Sequence, residues 1–413
     1  MDQQQPLRID PAGHDLHGEA LRLRETGPAV RVVLPGEIPA WYITSHDLLK
    51  SLLLDDRVSK DPGQHWPAWR DGAFRDTWII NWVGVSNMLT AYGPAHRRLR
   101  KLIAPAFTAR RTQAMAPQIE RITHTLLDAI TPTSPGRVVD LRTAFAHPLP
   151  MQVICELFGL PETARRDMAR LISRIMDTTI TAQEAETTQK EVRAVLASLV
   201  ALKRANPGDD LTSVLVDVRE EDGSRLSEEE LIDTLLLIIG AGHETTVNLI
   251  GNAVHALLTH PGQLERVRTG EVSWDDVIEE TLRWAPSIAS LPLRFAVTDI
   301  PLPDGGPTIR AGEAILTTYA AAGHDPQQHG ATAAEFDPGR ATTDHLAFGH
   351  GVHHCIGAPL ARLEARIALP ALFARFPDLT LAAEAADLAR VESFISHGFQ
   401  SLPIRLNSVT PPS

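Results

Sequence analysis

The sequence predicts a mainly α protein with small β-sheets. Three observations carry this. One helical pattern opens on Ser227 and Glu230 in capping-box spacing and stops at His260-Pro261-Gly262. Helical periodicity also dominates residues 61–285 and returns over 359–376. β-like runs are confined to about 29–60, 290–345 and a tail over 385–407, so strands and helices do not alternate. The whole of 1–413 reads as one domain.

In chain order, residues 29–44 alternate around Pro35-Gly36 and predict a hairpin. Ser45 then caps a helix carrying Leu48, Leu49, Leu52 and Leu53. The long helix from Ser227 spans about 32 residues, or about 48 Å. Its segment Leu235 to Ile239 is apolar all round, which sends it through the core. Ser273 with Asp276 caps a further helix, ended at Pro286. Residues 285–345 mix Pro, Gly and short β-like runs, Leu291 to Val297 and Ala314 to Tyr319. The last helix places Pro359 in its first turn, where a missing N–H costs nothing.

Composition narrows the function. Of 413 residues, 43% are apolar and 22% charged, as in a soluble globular chain. Lys+Arg 39 against Asp+Glu 51 leaves −12, the wrong sign for a nucleic-acid binder. Met1 to Gln5 has no basic-then-apolar leader pattern, and no run reaches about 18 apolar residues. A cytoplasmic monomer with no membrane association is expected. Two cysteines, Cys155 and Cys355, exclude a disulfide scaffold and a four-cysteine metal site.

Four constellations carry chemistry. Gly240-Ala241-Gly242-His243-Glu244-Thr245-Thr246 puts two glycines, each costing about 1 kcal/mol, inside a core helix. It reads either as close helix packing with Thr hydroxyls bonded to the preceding turn, or as a ligand lying against a locally distorted helix. Phe348-Gly349-His350-Gly351-Val352-His353-His354-Cys355-Ile356-Gly357 rings one cysteine with glycines just before a helix N-terminus, which favours a thiolate. Three readings stay open there: a buried inert cysteine, a zinc site using the neighbouring histidines, or one thiolate bound to haem iron. Zinc is short of a second ligand pair. Glu280-x-x-Arg283 shares a helix face and, by itself, reads as a surface ion pair. His96, Arg97, Arg98, Arg100 and Lys101, with Arg110 and Arg111, form a basic cluster: a solvated face, an anion clamp or a docking patch.

Together, and in this order, these segments resemble the cytochrome P450 superfamily. Phe348 to Gly357 matches its cysteine loop, Glu280-x-x-Arg283 its ExxR pair, and Ala241-Gly242-x-Glu244-Thr245 its oxygen-activation motif. Phe336-Asp337-Pro338-Gly339-Arg340 matches the segment that closes a network with the ExxR pair. The resemblance spans nearly the whole chain and implies the family's triangular-prism haem-thiolate fold. It implies haem b with Cys355 as axial metal ligand, Phe348 shielding the sulfur, and Gly357 in the same loop. His96, Arg100, Arg294 and His353 match positions that hold the haem propionates. Glu244 and Thr245 are implied as catalytic proton donors, and Glu280, Arg283 and Arg340 as a buried structural network.

The implied reaction is monooxygenation with dioxygen as cosubstrate. NAD(P)H supplies electrons indirectly, through a ferredoxin and its reductase. Arg97, Arg98 and Lys101 are candidates for docking that ferredoxin. The roof segment Trp82, Val83, Val85 and Met88, with Met176, Ala241, Ile288, Leu291 and Gln400, would line a pocket for a bulky hydrophobic substrate. Several short segments (Val58 to Asp61, His65 to Pro67, Thr90 to Gly93) look like actinobacterial members acting on macrolides, other polyketides or steroids. Oxidative ring coupling or a peroxide-driven oxidation is the alternative, against which Glu244-Thr245 argues.

Overall fold

The computed structural model describes residues 7–131, 136–218, 223, 225–303 and 305–406. Met1 to Gln5, on which the leader expectation rests, and Asn407 at the end of the predicted tail lie outside them. Eleven strands are found among these residues. They are β1 (Leu7–Arg8), β2 (Ala29–Leu34), β3 (Ile38–Ile43), β4 (Val58–Ser59), β5 (Arg137–Asp140), β6 (Ser290–Ala296), β7 (Ile300–Pro301), β8 (Thr308–Ile309), β9 (Ala314–Thr318), β10 (Thr380–Leu381) and β11 (Pro403–Leu406). The helices that matter for the site are α1 (Leu16–Thr26), α2 (His46–Leu54), α3 (Gly93–Ile103), α4 (Ala116–Ile130), α5 (Pro148–Phe158), α6 (Glu162–Met176), α7 (Ala182–Ala205), α8 (Glu228–Thr259), α9 (Trp274–Trp284) and α10 (Ala358–Arg375).

The predicted hairpin is present. Val30 pairs with Tyr42 and Val32 with Ala40 across a turn in which Gly36 and Glu37 both take positive φ. It extends into a six-stranded sheet of order β1-β2-β3-β9-β6-β4. β5 was not foreseen inside the helical region. It pairs antiparallel with β11, Ile404 opposite Val139, in a three-stranded sheet with β10. Most of the predicted tail strand is irregular instead, held by isolated bridges such as Arg390 to Phe399 and by side-chain bonds before β11 begins.

α8 has the predicted bounds for the predicted reason. Ser227 Oγ accepts the Glu230 N–H at 3.1 Å, and Glu230 Oε2 accepts the Ser227 N–H at 2.8 Å. The helix stays α-helical through both glycines, so the expected local distortion is absent. Its hydroxyls instead bond back one turn: Thr245 Oγ1 to the Ala241 carbonyl at 2.5 Å, Thr246 Oγ1 to Gly242 at 3.2 Å. The glycines do different work. A Cβ on Gly242 would lie 2.6 Å from Ile154 Cδ1, so this glycine lets α5 approach. A Cβ on Gly240 would meet nothing within 4 Å. α8 packs on α5, α7, α9 and α10, and apolar cores lie on both sides of it.

The ExxR pair is not at the surface. Glu280 and Arg283 are both 0% exposed and form two bonds of 2.7 Å. Arg283 also donates to the carbonyls of Gly323, Ala333 and Glu335 at 2.6–2.7 Å. Arg340 reaches Glu280 Oε1 at 3.4 Å, and the Asp337 N–H reaches it at 2.8 Å. A planar guanidinium with five donors suits this convergence of oxygens, and each member is satisfied.

Candidate active site

A cavity of about 290 Å³ opens between α8, the roof segment and the cysteine loop. Cys355 sits on its floor, and the open surface of this residue belongs to the cavity. The loop is shaped by two glycines at positive φ, Gly349 and Gly351. A Cβ on Gly351 would lie 2.7 Å from the Leu53 carbonyl. The Cys355 N–H donates to Phe348 O at 2.8 Å, and α10 begins two residues beyond Ile356. Burial pushes the thiol up, while the N–H groups of Gly357 and Ala358 and the charges of Arg100 and Arg362 pull against it. A bound metal would deprotonate it outright. A Cβ on Gly357 would meet only Cys355 Sγ, at 3.8 Å, so this glycine leaves space open beside the sulfur. Phe348 lines the cavity with Arg362 stacked on its ring at 4.5 Å.

Basic groups gather at one edge. Arg100, Arg294, His353 and Lys60 line the cavity, and the His96 ring lies behind, 4.1 Å from the His353 ring. His96 Nε2, Arg294 Nε and Lys60 Nζ are enclosed without a hydrogen-bond partner. Burial, reinforced by the neighbouring guanidinium groups, pulls His96 down to about 4 and lowers His353 and Lys60 as well. Enclosed, unpaired donors of one sign need acceptors. Two carboxylates on a flat group above Cys355 would supply them, so the residues present fit a haem with its two propionates.

Most of the residues expected in the pocket are there: Trp82, Val85, Met88, Met176, Ala241, Thr245, Ile288 and Leu291 all line it. Two are not. Val83 is 3% exposed and is spent in the hydrophobic core beside the hairpin; Trp82 joins the same core but also reaches the cavity. Gln400 is exposed. The buried run 393–399 ends at Phe399, and Gln400 and Ser401 face outward. Glu244 also lies off the cavity wall. Its Oε1 takes Arg142 Nη2 at 2.7 Å, while Oε2 is enclosed and unbonded. Burial raises this carboxyl and Arg142 opposes the shift.

Sequence reasoning missed three groups here. Lys60 could have been noticed as a lone lysine in a strand-like run. Glu364 lines the cavity from α10, and burial raises it well above its usual range. Arg142 carries no local signal, since its partner is 102 positions away.

The roof is laced to the helices beside it. The Ser86 N–H donates to Asp233 Oδ2 at 2.6 Å, and Arg193 pairs with Asp233 Oδ1 at 2.6 Å. Asn87 donates to the Asp233 carbonyl at 3.0 Å, and Gln189 donates to Asn81 at 2.9 Å. Asp233 itself is 0% exposed.

A mainly helical fold around an apolar cavity, with one cysteine sulfur on its floor and a basic cradle at its edge, defines a haem-thiolate class of protein. The chain belongs to the cytochrome P450 family, whose model matches residues 157–272 and 274–385. It is 42% identical, over 97% of each chain, to the 2-hydroxy-5-methyl-1-naphthoate 7-hydroxylase of Streptomyces carzinostaticus. It is 40% identical to the 6-deoxyerythronolide B hydroxylase of Saccharopolyspora erythraea, over 97% of this chain and 98% of that one. Among solved structures, CYP154A1 of Streptomyces coelicolor A3(2) matches at 51% identity and TM-score 0.92, over 97% of this chain and all of that one. Testosterone-bound CYP154C4 of Streptomyces sp. ATCC 11861 matches at 41% identity and TM-score 0.94, over 99% and 100%. The chain is therefore a cytochrome P450 monooxygenase of actinobacterial type. Haem b with an axial cysteine thiolate is its cofactor and dioxygen its cosubstrate. Among the described residues no helix is long and apolar enough to cross a membrane.

Proposed function

We propose that this enzyme hydroxylates a bulky, mostly apolar small molecule of the macrolide, polyketide or steroid-like class. The observation that carries this is the apolar cavity itself, walled by Trp82, Val85, Met88, Ile288 and Leu291 and open toward Cys355. Such a wall discriminates by shape more than by hydrogen bonding. The relatives named as hydroxylases of 2-hydroxy-5-methyl-1-naphthoate and of 6-deoxyerythronolide B support hydroxylation as the reaction.

Cys355 would hold the haem iron, and His96, Arg100, Arg294 and His353 would hold the propionates, with Lys60 as a fifth basic group. When bound, the haem supplies dioxygen activation, and the thiolate's electron donation favours O–O cleavage. The chain supplies position and protons. Thr245 presents its hydroxyl on the cavity wall, its own proton held by the Ala241 carbonyl. Glu244, the next store, keeps Oε2 free of any bond while Arg142 fixes Oε1. The roof and the apolar walls exclude water from the reacting carbon.

Screening macrolactones, aromatic polyketides and steroids for a ferric spin-state change in the holoenzyme tests the substrate class. At least one should shift it and gain one oxygen on turnover; silence from all three classes would remove the proposal. Thr245→Ala is expected to keep the haem and substrate binding while product per NAD(P)H falls by up to about 10²-fold, the low end for a positioned acid. The lost electrons should appear as peroxide, and unchanged coupling would refute the relay.

Electrons are proposed to come from an acidic ferredoxin and its NAD(P)H-dependent reductase, meeting the monomeric enzyme in the cytoplasm. Arg98 is paired with Glu230 at 2.7 Å and Lys101 is engaged as well, so the docking patch contracts to the exposed Arg97 on α3. α3 touches the cysteine loop where Arg100 donates to His354 O at 2.8 Å. Arg97→Glu should slow reduction by ferredoxin severalfold and flatten its dependence on salt, read by stopped-flow; an unchanged rate and salt slope would discard this patch.

A further inference from the structure

A second cavity, of about 200 Å³, lies between the start of α1 and the irregular chain over 390–398, apart from the Cys355 cavity. Its lining includes His17, Arg390, Ser396 and His397, with His14 and Asp15 at the exposed side. The chemistry there is one-sided. His17 Nδ1 and His397 Nδ1 are enclosed and have no hydrogen-bond partner. The His17 ring stacks on His324 at 3.9 Å and meets His397 edge-on at 5.3 Å. His324 is itself engaged with the Trp284 carbonyl at 2.7 Å, and the His397 ring is bonded to the Pro286 carbonyl.

Arg390 lies over the Phe399 ring at 3.9 Å and, among the described residues, has no carboxylate partner. Arg390, His324, His255 and Arg283 act on the two imidazoles, and Asp15 is the one acid in the cavity lining. Arg283 is already matched by Glu280. The nearby acids are spent: Asp15 accepts the Gly18 N–H at 2.9 Å and Arg22 at 3.3 Å, and Asp10 pairs with His14 at 2.8 Å. A partly buried guanidinium beside two unbonded ring nitrogens and a hydroxyl leaves a cation without a carboxylate partner among the described residues.

We propose that this cavity is a binding site for a small dianionic oxyanion of the sulfate or phosphate class, held by Arg390, Ser396 and the protonated rings of His17 and His397. The sign of the pH dependence follows from the site. With Asp15 and Asp10 engaged by other partners, burial and the surrounding cations depress both imidazoles, so they are neutral near pH 7 when the cavity holds no anion. A dianion favours their charged forms, so binding takes up protons and affinity falls as pH rises, about tenfold per pH unit for each proton taken up. The site also adjoins the catalytic helix. Ser396 Oγ accepts Asn248 Nδ2 at 2.9 Å, Asn248 Oδ1 accepts Arg142 Nη1 at 3.1 Å, and Arg142 holds Glu244. Asn252 of α8 also grips the His397 carbonyl at 2.9 Å.

The test is calorimetric titration of the holoenzyme with sodium sulfate against sodium chloride of equal ionic strength. The propionates then already occupy the basic cradle in the main cavity. One saturable site is expected, at least tenfold tighter at pH 6 than at pH 8, and lost in Arg390→Gln. His397→Asn, which keeps a polar side chain, should weaken binding at pH 6 and reduce the pH slope; it serves as the second variant should Arg390→Gln fail to fold, as judged by melting and the absorption spectrum. No saturable site, an affinity independent of pH, or the same affinity in both variants would overturn the proposal.

Discussion

Cys355→Ser is expected to abolish monooxygenation and, with it, the strongly red-shifted Soret band of the reduced carbon-monoxide complex. A serine hydroxyl cannot take the place of a thiolate on iron, because its proton is held far more tightly. The loop would survive, since its shape comes from Gly349, Gly351 and the Cys355 N–H bond to Phe348, none of which needs sulfur. Far-ultraviolet circular dichroism should therefore be unchanged. Cys155→Ala is the matched control. Cys155 is buried, touches Met151 sulfur at 3.7 Å, and burial pushes its thiol to about 11, the behaviour of a small apolar residue. That variant should lose about 1 kcal/mol of stability and keep both band and activity. A red-shifted band persisting in Cys355→Ser would remove the assignment of the ligand.

The second large effect is expected at Arg283. Arg283→Lys keeps the charge but cannot reproduce two bonds to Glu280 and three to backbone carbonyls, because an ammonium has three donors and no plane. Glu280 would be left under-paired in the protein interior, a defect worth about 3–5 kcal/mol. Against a total stability of about 5–15 kcal/mol, that is enough to unfold much of the protein at 37 °C. Urea denaturation of the holoenzyme measures it. A loss below about 1 kcal/mol would show that the network is not what anchors α9 to the 323–340 segment.

What could be read from the sequence was whatever is encoded locally. The bounds of α8 follow from Ser227, Glu230 and Pro261, and the hairpin from Pro35-Gly36, because caps and turns act within four residues. The cysteine loop was legible because its glycines and sulfur are contiguous. β5 was not legible: it is four residues, none of them fully buried, and its partner β11 lies more than 260 positions away. Trp82 and Val83 show the same limit at the pocket. Both are apolar and both join the core beside the hairpin, and nothing local says which one also reaches the cavity. Glu280 and Arg283 looked like a surface pair because spacing says nothing about depth, which is set by the carbonyls of Gly323, Ala333 and Glu335. Arg142 and Lys60 act on groups distant in sequence, so composition and periodicity could not single them out.

The lacing of the roof through Asp233 has a kinetic consequence. One enclosed carboxylate holds the Ser86 backbone and Arg193 together, and Asn87 joins the same turn of α8. Opening the molecule at this point takes more than moving one side chain: roof, α7 and α8 must part together, and a partly enclosed ion pair must be separated while they do. Entry and escape by that route would share this one step.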